Sequence, residues 1–138
     1  MGTYFIYDSG TGQVRRMYTG SDAMLGVNTG VDEAAIEKTV EAATDATHYV
    51  DSGVITARPS LPLTFTPSSK SIPADSLSVL TIGGIQAGAS VLILGPGVKD
   101  EFTADGTDVE LTFEVAGQYQ VIIEKFPYVR EEVICVGT

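Results

Sequence analysis

Apolar and polar residues alternate along much of this chain with a period of two, the spacing of a strand that hides one face and shows the other. The clearest run is 109–115, where Val109, Leu111, Phe113 and Val115 interleave with Glu110, Thr112 and Glu114. After Ala116-Gly117 the pattern resumes: Tyr119, Val121 and Ile123 share one side, and Gln118, Gln120, Ile122 and Glu124 the other. Read this way, the C-terminal half predicts strands at 63–66, 77–82, 90–94, 101–103, 109–115, 118–125 and 129–136. Gly83-Gly84, Gly95-Pro96-Gly97, Asp105-Gly106, Ala116-Gly117 and Phe126-Pro127 supply the turns between them. About seven short strands in roughly 75 residues is the pattern of a small β-sandwich of the immunoglobulin-like kind.

The N-terminal part is built from shorter pieces. Tyr4-Phe5-Ile6-Tyr7 is aromatic and β-branched, and Asp8-Ser9-Gly10-Thr11-Gly12 is a turn cluster. Val14, Arg16 and Tyr18 then alternate with Arg15 and Met17, completing a predicted hairpin. A second hairpin is predicted from Tyr49-Val50 and Val54-Ile55 around the turn Asp51-Ser52-Gly53. Residues 32–44 fit two patterns: a helix capped by Asp32 with Ile36 and Val40 one turn apart, or a strand with Ala34, Ile36, Lys38 and Val40 on one face. Pro59 and Pro62 keep the following chain extended, as a linker would. The expected organisation is therefore all-β, with a small β-hairpin unit at 1–60 followed by a sandwich at 61–138. The hairpins hold few core residues, so order in 1–60 is expected from packing on the sandwich, on another copy or on a partner.

The string "AGQYQV" has a structural explanation within a sandwich. In immunoglobulin-like domains a Tyr near the start of a late strand hydrogen-bonds back across the corner, two residues before a core position. Tyr119 precedes Val121 at that spacing, with Gly117 in the turn. The expectation is a buried ring with its hydroxyl satisfied by backbone.

Composition narrows the possible functions. The 138-residue chain carries a net charge of -10; residues 1–60 have 4 Lys/Arg against 8 Asp/Glu, and residues 61–138 have 4 against 10. Both halves lack the basic footprint that phosphate backbones require, so no nucleic-acid partner is expected. No basic amphipathic segment or long apolar run suggests a membrane partner. Cys135 is the single cysteine, which rules out a disulfide within the chain and fits a small buried apolar residue. The N-terminus has neither the signal-peptide pattern nor the myristoylation pattern, and synthesis in a reducing cytoplasm is expected.

Candidate chemistry is sparse. His48 is the single histidine, and nothing around any Ser resembles a nucleophile elbow, so no enzyme and no catalytic residue is expected. Asp100, Glu101, Asp105, Asp108 and Glu110 crowd one acidic segment. Calcium would use such oxygens, but the spacing is not that of an EF-hand, and a solvated edge that discourages aggregation is the preferred reading. The Gly-rich strings "GGIQAG" and "GPG" lack the Lys and the context of a phosphate loop. No cofactor or metal is expected. Tyr7, Tyr18 and Tyr128 are the aromatics available for a carbohydrate surface, with strand-face or corner packing as the plainer alternative.

Three stretches together carry a resemblance: "YDSGTGQVRRMYTG", "DATHYVDSGVITARPSLP" and "VAGQYQVIIEKFPYVREEV". They resemble small tail-associated or tail-fibre-type virion proteins of tailed bacteriophages, in which a short β unit precedes an immunoglobulin-like domain. The resemblance implies a structural role in the tail, at the baseplate or a fibre attachment, with other virion proteins and further copies of the chain as partners. It implies a strand at 34–41, and carries no active-site residues. The alternatives are a capsid decoration protein and a carbohydrate-binding adhesin module.

Overall fold

A computed structural model of the chain describes residues 2–138. Apart from two short 3-10 turns, every regular element among the described residues is a β-strand. The chain divides into two compact units, Met1–Pro59 and Ser60–Thr138.

The first unit starts with β1 (Gly2–Asp8), β2 (Val14–Gly20) and β3 (Glu33–Glu37), an antiparallel sheet in the order β2-β1-β3. Hairpin β4 (His48–Asp51) and β5 (Val54–Ala57) completes it. Phe5 and Ile6 are adjacent in the central strand and both fully buried, so both sheet faces are covered there. Phe5, Val14, Ala43 and Val50 form the core, with Tyr7, Ile36 and Ile55 against it.

A bulge corrects the alternation expected for the first hairpin. Ile6 pairs with Arg16 but Tyr7 pairs with Val14, leaving Arg15 as the extra residue. Val14 therefore joins the Phe5 and Tyr7 face and is buried, while Arg16 and Tyr18 lie on the opposite face. The turn itself is held by the Asp8 carboxylate, which accepts the amides of Gly10 at 2.8 Å and Thr11 at 2.9 Å. The Gly12 carbonyl in turn accepts the Val50 amide at 2.8 Å, tying this turn to β4.

The ambiguous segment resolves as strand over Glu33–Glu37, shorter than the 34–41 expected. Asp32 has a φ of 60°, which is not the conformation of a helix cap. Helix propensity from Ala and Glu is worth only tenths of a kcal/mol per residue. Pairing with the open edge of β1 satisfies a whole row of backbone groups and prevails. The preceding connection holds 3-10 turns at Asp22–Met24 and Gly26–Asn28.

The second unit contains β6 (Thr64–Thr66), β7 (Ser71–Ile72), β8 (Leu80–Gly83), β9 (Ser90–Gly95), β10 (Val98–Thr103), β11 (Val109–Leu111), β12 (Gly117–Glu124) and β13 (Glu131–Gly137). They form a five-stranded sheet, β10-β9-β12-β13-β7, and a three-stranded sheet, β11-β8-β6. One core joins them: Leu80 and Ile82 come from the smaller sheet, and Val91, Val121, Ile123 and Cys135 from the larger, all fully buried. This is a β-sandwich. It holds 15 buried residues in its core against 4 in the first unit. At roughly 1.5–3 kcal/mol per buried large aliphatic side chain, most hydrophobic stabilisation lies in the sandwich.

Several expected strand limits move. The strand expected at 77–82 begins only at Leu80, because Asp75 holds the preceding residues in a turn. Its carboxylate accepts the amides of Leu77 at 2.9 Å and Ser78 at 2.7 Å, and Leu77 is left 82% exposed. The strand expected at 109–115 ends at Leu111, whereas β10 extends three residues earlier than its predicted start at 101. The strand expected at 129–136 is β13, and the unpredicted β7 runs parallel to it.

Candidate functional site

Tyr119 lies in β12 with 2% of its surface exposed. Its hydroxyl donates to the Val115 carbonyl at 2.5 Å, four residues upstream. The ring stacks on Phe113 with centroids 4.1 Å apart and planes 7° from parallel. Its other neighbour is the backbone of Gly95, where a Cβ would come within 2.1 Å of the ring. Val121, two residues on, is fully buried. Cys135 pairs with Tyr119 across β12 and β13. Burial raises the Cys135 thiol above its ordinary pKa, against a smaller opposing effect from Lys70. The group stays protonated near neutrality and is a poor nucleophile.

Two of the three candidate surface tyrosines, Tyr7 and Tyr18, do not converge. Tyr7 and Tyr18 lie on opposite faces of the same sheet, as their pairing with Val14 and with Tyr4 requires. Tyr7 packs against the first core. Tyr18 donates its hydroxyl to the Ser21 carbonyl at 3.1 Å, and its ring sits 6.3 Å from that of Tyr4. Tyr128 belongs to the other unit and packs against the sandwich core. The Tyr4 hydroxyl donates to the Asp22 carboxylate, and this bond is the largest effect pushing its pKa up to about 12.

An ion cluster not anticipated from the sequence crosses the first sheet. Glu33 receives Arg16 at 2.7 Å and Arg15 at 3.2 Å, and Arg15 also reaches Asp8 at 2.5 Å. The Glu33 carboxylate accepts the Gly30 amide as well, and only 7% of its side-chain surface is exposed. The bulge at Arg15 brings the two arginines to this site. The hydrogen bond from Arg16, then that from Gly30, holds Glu33 at a pKa of about 2 against an ordinary 4.5. Because the folded value is the lower one, the folded state is favoured above pH 4.5, and this contribution disappears as pH falls through about 2. Thermal melts of the first unit's signals are expected to show Tm falling across that window. Glu33→Gln should flatten the fall while lowering Tm at pH 7; an unchanged acid profile would contradict the assignment.

His48 is half-buried, with Nδ1 2.7 Å from Thr47 Oγ1 in a local Thr44–Thr47 turn. In the acidic segment, Asp105 caps its own turn, accepting the Thr107 hydroxyl at 2.6 Å and amide at 3.0 Å. No group of three or more His, Cys, Asp or Glu among the described residues is placed to hold a metal ion. No helix among them is long and apolar enough to cross a membrane.

Apolar surface lies open in each unit. The β2–β3 connection exposes Met24 (50%), Val27 (77%) and Val31 (88%). In the sandwich, a groove of about 480 Å³ opens between β10 and β11 over Ile93, Leu111, Phe113 and Tyr119. No family model, curated protein or solved structure matches the chain.

Proposed function

We propose that this protein is a structural component of a tailed bacteriophage particle, placed in the tail at the baseplate or a fibre attachment and acting through protein–protein assembly. The observation that carries the reading is the apolar exposure of the β2–β3 connection, where Met24, Val27 and Val31 each present half or more of their surface. Large exposed apolar side chains gathered in one segment favour burial against another chain. Beside it stands the resemblance of "YDSGTGQVRRMYTG", "DATHYVDSGVITARPSLP" and "VAGQYQVIIEKFPYVREEV" to tail-associated virion proteins. The first unit then serves as the dock, on another virion protein or another copy, and the sandwich as the outward module.

An immunoglobulin-like identity for the sandwich is part of the proposal. Three features support it: the two sheet orders, an opening segment divided between β6 in one sheet and β7 in the other, and the Tyr119 bond at the start of β12. An antibody against the sandwich should label the tails of intact particles in negative stain. Labelling spread over the capsid surface would favour the decoration reading, and unlabelled particles would remove the virion assignment.

A further inference from the structure

The sandwich has two lateral strands with free outer edges on the same side. β10 pairs only with β9, and β11 only with β8. The groove between them is floored by apolar core side chains. Five of the six residues of β10 are exposed, so its outer row of backbone groups faces solvent. Register fixes which side chains of β10 turn inward. Asp100 pairs with the core residue Ile93, and Phe102 with the core residue Val91, so Asp100 stands on the inner face of an edge strand beside apolar neighbours. Asp100, Glu110 and Glu114 line the groove, and none of its described lining residues is basic.

We propose that this groove receives an extended segment of a partner protein, which adds to the open edge of β10 as a further strand. On its inner face the segment turns a Lys or Arg towards Asp100 and, two residues before and after it, apolar side chains onto the floor, with polar residues between them on the outer face. Strand addition satisfies the free backbone row of β10, and alternate side chains give specificity. The acidic lining selects a basic segment over an acidic one. A second copy of this chain is a poor occupant, since each copy carries a charge of -10. The inference deepens the assembly role above and rests on it for the partner being a protein.

The test uses the full chain and a short amidated peptide, Thr-Val-Thr-Lys-Thr-Val-Thr, whose Lys and two flanking Val share one strand face; the same peptide with Glu for Lys, and a block-ordered peptide of the same composition, are the controls. Amide exchange and chemical-shift mapping should show binding of the alternating basic peptide alone, with new protection at the β10 amides that point away from β9. Asp100→Lys is expected to weaken that binding roughly tenfold or more. Glu101→Lys makes the same charge change on the opposite face of β10 and should largely preserve it. Absence of binding, equal binding of the acidic or block peptide, or perturbation away from β10 would overturn the proposal. A protein that still labels tails while failing this test would lose the groove assignment and keep the assembly role.

Discussion

Tyr119→Ala is expected to be the most damaging single substitution in the sandwich, lowering its stability by about 3–5 kcal/mol. The ring fills the space between Phe113 and the Gly95 backbone, and removing it leaves a cavity where two sheets meet. Tyr119→Phe keeps the ring and deletes only the bond to the Val115 carbonyl. The expected loss is that of one neutral hydrogen bond, about 0.5–1.5 kcal/mol. Gly95→Ala attacks the same place from the other side, because the new methyl occupies the position of the ring. It should approach the effect of Tyr119→Ala. Urea unfolding of the full chain, with amide exchange of β12 and β13 to assign the transition, measures all three. Equal losses in the Ala and Phe variants would show that the ring is not part of the packing.

Gly12→Ala is expected to disrupt the first unit. Gly12 has a φ of +83°, and a Cβ there would lie 1.8 Å from the Val50 carbonyl oxygen. Backbone strain of this kind costs about 1–3 kcal/mol by itself. The clash adds to it, since the obstacle is main chain in β4 and cannot rotate away. The turn must withdraw from β4, breaking the bond from the Val50 amide to the Gly12 carbonyl. Val50 is one of only four buried residues in that core, so the loss spreads to Phe5 and Val14. Faster exchange at Val50 with the sandwich unchanged is the expected signature. A loss below about 1 kcal/mol would be too small even for the conformational strain alone.

Strand and turn were legible wherever one face is buried and the other wet. Residues 118–125 show this best, because Tyr119, Val121 and Ile123 alternate cleanly and become the inner face of β12. The Tyr119 bond was legible because its acceptor lies four residues away. Features set by partners distant in sequence were not. The two-residue β7 owes its existence to the edge of β13. The bulge at Arg15 reverses the face of Val14 without a glycine or proline to mark it. Glu33 reads as one more surface carboxylate until register places it beside Arg15 and Arg16. Asp100 likewise lay within an acidic segment read as solvated, and only pairing with Ile93 identifies its inward direction. The three tyrosines chosen as surface aromatics were selected by type, and type does not say that Tyr7 and Tyr18 occupy opposite faces.

Quantitative mass spectrometry of purified particles, separated into heads and tails, tests the assembly role most directly. The protein should be recovered with tails, at a small copy number matching the symmetry of the structure that holds it. Recovery with heads in hundreds of copies, or absence from both fractions, would contradict a place in the tail.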